Sequence, residues 1–92
     1  MPDIGKRVFH NIAVISGHDE NTITNVSRLL EDLDMSLDLR GALQPGFERI
    51  ARETNPSARI ATGECEALVT AGKAVELVTE RSKAKGGQPN VP

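Results

Sequence analysis

A chain of 92 residues, 38% hydrophobic and only 2% aromatic, makes one domain with a thin core of Ile, Leu, Val and Ala. Its 11 basic and 13 acidic residues give a net charge of −2, which argues against a dense Lys/Arg surface built to hold nucleic acid. One cysteine excludes an internal disulfide.

Residues 1–6 carry no pattern. Val8 to Ile15 is rich in β-branched and aromatic residues and ends at Ser16-Gly17, which predicts a single strand over 8–15. Val8, His10, Ile12 and Val14 would line one face. No second strand is apparent, so this one needs a partner for its backbone groups, another copy of itself among the candidates.

Ser16 or Asp19 then reads as a helix cap. Ile23, Val26, Leu30, Leu33 and Leu37 follow at alternating spacings of three and four, which predicts a helix over 19–40. Gly41 is its stop. Pro45 suits a first helical position, and Phe47, Ile50 and Ala51 would face inward from a short helix over 45–54. Asn55-Pro56 reads as cap and first residue of a long helix over 56–85. The expected fold is therefore mainly α: three helices and one N-terminal strand in a single domain over 1–85. Residues 86–92 have the composition of a disordered tail.

Within the long helix Gly63, Ala67, Ala71 and Ala74 form one narrow lane at 3.6 residues per turn. Such a lane admits close approach of another backbone, and a thin core gains from dimerisation, so these four residues are the expected homodimer interface. Glu64 falls in the middle of the same apolar stripe. A buried carboxylate requires a partner, which points either to a place at the rim or to an ion pair with Arg49, Arg52 or a second subunit.

Little else suggests chemistry. Cys65 lies between Glu64 and Glu66, which disfavour a thiolate, so it reads as a packing residue. His10 and His18 lack a metal-ligand spacing to each other or to Cys65. No catalytic triad, phosphate loop or convincing carboxylate pair is present. The expectation is a protein that is not an enzyme and takes no cofactor, metal or small-molecule substrate. No apolar run reaches the roughly 18 residues of a membrane span, and no signal-peptide core is seen. A reducing bacterial or phage-infected cytoplasm is the expected setting.

From Asp19 to Asp38 the chain carries Asp19, Glu20, Glu31, Asp32, Asp34 and Asp38 against the single base Arg28. An acidic face of this kind docks on a basic surface of another protein. Glu31, Asp32, Asp34 and Asp38 are the partner-binding candidates, and a small regulator or inhibitor that occludes its partner is the leading functional expectation. Lys6-Arg7 followed by one strand and two helices also resembles the element order of ribbon–helix–helix proteins. That resemblance implies a dimeric DNA-binding regulator or antitoxin, with paired strands in the major groove. Against it stand the acidic first helix, the Gln44-Pro45-Gly46 interruption and a strand too apolar to read bases.

Overall fold

In the computed structural model, which describes residues 3–83, the segment expected to be a strand is a helix. Helix α1 spans Ile4–Ser16. The Asp3 carboxylate accepts from the Lys6 N–H at its start, and Gly17 ends it at a φ of 80° while donating to the Ala13 carbonyl. Val8 and Ile12, one helical turn apart, are fully buried, with Ala13 beside them and Ile4, Phe9 and Ile15 packed at the edge. The physical reason is twofold. A helix pairs its own backbone groups where a lone strand cannot, and β propensity spans only about 1 kcal/mol. Burying each large aliphatic side chain contributes about 1.5–3 kcal/mol.

The expected helix over 19–40 is mostly loop. A single 3-10 turn, Glu20–Thr22, is capped by Asp19, and α2 forms only at Leu37–Gly41. Of the heptad positions, Ile23 and Leu33 are buried, with Leu29 and Met35 joining them, whereas Val26, Leu30 and Leu37 are exposed. Short polar side chains take backbone donors that a helix would need. Ser27 Oγ accepts from the Thr24 N–H at 2.9 Å and Asp32 Oδ2 from the Arg28 N–H at 2.8 Å. Asp34 adopts a left-handed φ of 56°, which interrupts any helix there.

Helix α3 spans Gln44–Arg52, close to its expected range, and buries Phe47, Ile50 and Ala51 as anticipated. It follows α2 almost directly. Pro45 lacks the N–H that would continue the helical ladder from α2, so the chain makes a fresh start there.

The expected long helix over 56–85 is broken in two: α4, Thr62–Glu66, and α5, Ala71–Ser82. Asn55 caps no helix. Its side-chain N–H groups donate to the Arg81 and Lys83 carbonyls, at 2.9 and 3.0 Å, and so finish the C-terminal end of α5. Residues 58–60 lie beside α3, with the Arg52 Nε donating to the Ala58 carbonyl and the Ile60 N–H donating to Glu48. The second break, at 67–70, comes from a seam with the first long loop. The Leu29 N–H donates to the Val69 carbonyl at 2.8 Å, and Arg28 and Thr70 form an antiparallel bridge. The first two donors of α5, Ala71 and Gly72, reach the Ser27 and Asn25 carbonyls, both at 2.9 Å. Thr70 caps α5 through the Lys73 N–H.

Helices α1, α3 and α5 pack against one another, and α2 lies on α4. The core between them includes Val8, Ile12, Leu29, Met35, Phe47 and Val78, all fully buried. The expected tail over 86–92 lies outside the described residues.

Two glycines separate backbone from side-chain crowding. A Cβ on Gly72 would stand 2.7 Å from the Asn25 carbonyl oxygen, a backbone atom fixed by the seam. On Gly46 it would stand 2.4 Å from the Asn11 amide, the end of a side chain that can rotate away. In chemical denaturation Gly72→Ala should therefore cost about 2 kcal/mol, and Gly46→Ala clearly less.

Candidate functional site

The acidic candidates occupy one corner of the molecule but not one helix face. Arg28 organises the first pair: its guanidinium lies 3.5 Å from Asp32 and 4.0 Å from Glu31. The Arg28 N–H and then its side chain hold the Asp32 carboxyl below the usual carboxylate range. Asp34 sits on the left-handed turn and Asp38 in the first turn of α2. Among the described residues, neither Asp34 nor Asp38 pairs with a basic side chain. The negative charge of the corner is thus concentrated at its far end.

Midway between those two residues in sequence is Ser36, exposed and at the cap of α2. Its hydroxyl accepts from the Leu39 N–H at a long 3.5 Å. Its position is supported from below. Arg40 donates from Nε to the Ser36 carbonyl at 3.4 Å and from Nη1 to the Glu66 carbonyl at 3.0 Å, which holds the start of α2 against α4. Leu30, Leu37 and Val69 are each at least half exposed. The Leu29–Val69 hydrogen bond and a 2.9 Å bond from the Met35 N–H to the Leu29 carbonyl bring their segments together. Sequence reading overlooks Ser36 because the heptad suggested an unbroken helix there. The available signal is a serine followed two residues later by an acid, which suits a helix start.

The small-residue lane does not survive as a lane, because Thr70 begins a new helix in the middle of it. Gly63 and Ala67 are exposed at the two ends of α4, whereas Ala71 and Ala74 are fully buried in the chain's own core. The four residues do not share a surface.

Glu64 is half-buried and pairs with Arg81 of α5, not with Arg49 or Arg52. Both guanidinium ends engage the carboxylate, Nη1 at 2.8 Å, and Nη1 also donates to the Arg59 carbonyl at 3.0 Å. Glu64 Oε1 accepts in addition from the Ala61 N–H at 3.0 Å. These bonds, the Arg81 pair foremost, lower the carboxyl to about 2. The cluster ties residues 59–61, α4 and α5 together.

Cys65 is fully buried, and burial together with Glu64 and Glu66 pushes its thiol up to about 11, so it is a poor nucleophile. His10 Nδ1 lies 2.9 Å from Glu20 on the exposed side of α1. Among the described residues no three His, Cys, Asp or Glu side chains gather as a metal site, and no helix is long and apolar enough to cross a membrane.

Comparison with family models, with curated proteins and with solved structures finds no match.

The Glu64 carboxyl is lowered in the folded chain, so its stabilisation is complete above its ordinary value of 4.5 and disappears as pH falls toward about 2. Glu64→Gln should cost about 1 kcal/mol at neutral pH, a modest figure because the pair is a third exposed to solvent. Urea titrations at a series of pH values should show the gap between the two proteins narrowing from pH 4.5 downward.

Proposed function

We propose that this protein is a non-catalytic docking module whose working surface is the Asp34–Asp38 corner, and that Ser36 carries a covalently attached group there. The observation that carries the reading is the placement of Ser36. Its hydroxyl is exposed, lies midway in sequence between two carboxylates with no ion pair among the described residues, and is braced from behind by Arg40. A docking module acts by being recognised. Acids with no ion pair among the described residues suit a basic face on another protein, and the exposed Leu30, Leu37 and Val69 are available for apolar contact.

A phosphate ester at this hydroxyl would be drawn by the first N–H groups of α2 and repelled by Asp34 and Asp38, so it would lie out toward solvent. The flexible thiol-bearing arm of coenzyme A is a group carrier with that linkage. In its transfer Ser36 Oγ attacks the phosphorus bearing the pantetheine arm. A new P–O bond forms, the diphosphate P–O bond breaks, adenosine bisphosphate leaves, and the hydroxyl proton passes to a base of the transferring enzyme. The modified protein would present a bound intermediate to its partners, in a cytoplasmic setting.

The simpler role of a regulator or inhibitor that occludes a basic partner uses the same acids and no modification. A DNA-binding role is not carried forward, since the strand it requires is helix α1. A homodimer through the small residues is not carried forward either, since Ala71 and Ala74 are filled core positions.

Incubation with coenzyme A and a broad-specificity phosphopantetheinyl transferase, followed by intact-mass measurement, tests the carrier reading. One phosphopantetheine should add to the native chain and none to Ser36→Ala. Asp34→Lys with Asp38→Lys should slow that modification about tenfold at low salt and flatten its salt dependence. No mass gain on the folded native chain would leave the occluding regulator as the better account.

A further inference from the structure

A concave site lies between α1 and α3, and no residue of the acidic corner lines it. It is a cavity of about 420 Å³, within the usual range for small-molecule clefts. Its charged wall is made by Lys6, Arg7, His10 and Arg49, with Glu20 as the one carboxylate among them. The pairing of these groups is informative. The Arg7 guanidinium is held by Glu53, and the Glu20 carboxylate by His10. Lys6 and Arg49 form no ion pair with any described residue. With the histidines neutral, Lys6 and Arg49 face the single Glu20 carboxylate, so the cavity keeps one positive charge in excess in a protein whose net charge is −2. Its floor is suited to a small molecule rather than to bulk water. Ile50 gives an apolar patch, and the Asn11 amide, packed against Gly46, makes only a 3.5 Å bond to the Leu43 carbonyl, so it has a donor to spare.

We infer that this cavity binds a small anion bearing a phosphate or diphosphate group, with Lys6 and Arg49 as its charge clamp and Asn11 as a neutral donor. Two cations of a concave wall match a doubly charged group better than a single carboxylate. The site is independent of Ser36 and of any partner at the acidic corner.

Inorganic pyrophosphate is the probe, added to the ¹⁵N-labelled full chain at near-physiological salt. Saturable amide shifts confined to residues 5–11 and 46–50 are expected. Lys6→Gln with Arg49→Gln should weaken the apparent affinity at least tenfold. Both side chains are exposed, so circular dichroism and the melting temperature should stay unchanged. Non-saturating or dispersed shifts, or equal affinity in the folded double variant, would overturn the assignment. Ser36→Ala should bind pyrophosphate as the native chain does, which keeps this outcome separate from the carrier reading.

Discussion

The seam between residues 25–29 and 69–72 is the contact on which the rest of this fold depends. An α-helix begins with N–H groups that its own ladder cannot satisfy. In α5 the first two are taken by the Asn25 and Ser27 carbonyls, and the next is capped by Thr70. The long loop in turn gains fixed partners for its backbone, including the Leu29 N–H on Val69. Each such bond is worth about 1 kcal/mol net, so the group forms a sizeable share of the stability of a small domain. It also carries Leu29, Leu33 and Met35 into the core from a segment with almost no helix.

A chain with two aromatic residues has few large side chains with which to fix helix positions. Polar contacts at the helix ends make up much of that deficit. Asn55 and Thr54 donate to carbonyls at the end of α5. Gln44 and Glu48 hold Ile60, with the Gln44 amide 2.8 Å from the Ile60 carbonyl. Glu64 and Arg81 close the same side. Glu48, its carboxyl lowered chiefly by the Ile60 N–H, belongs to this group too. The helices are short, and their termini are where the chain is tied.

That construction separates support from display. Arg28, Arg40, Arg52 and Arg81 are engaged in internal contacts. Among the described residues, Asp34 and Asp38, near an exposed serine in the chain, form no ion pair, and Lys6 and Arg49 form none at the α1–α3 cavity. Charges that a fold does not use internally remain available to attract something else. Here the two signs are gathered at different places, so one small surface offers two distinct kinds of recognition.

Local signals read correctly wherever they were sufficient. Pro45 with inward Phe47, Ile50 and Ala51 marks α3 because one proline and one helical stripe define it. The mainly helical class follows as well. The strand over 8–15 and the two long helices were misread because β-branched content and heptad spacing describe side chains and not the fate of backbone donors. Val26 and Leu30 complete a convincing heptad and still face solvent. Asn55-Pro56 has the form of a helix start, yet Asn55 serves the end of another helix. At the acidic corner the four carboxylates were legible from composition, whereas Ser36 came into view only once α2 was seen to begin there. Sequence alone determined the helical class, the position of α3 and the chemistry available. Tertiary structure decided where the other helices begin and end, because a remote carbonyl or carboxylate competes for the same N–H groups that would extend a local helix.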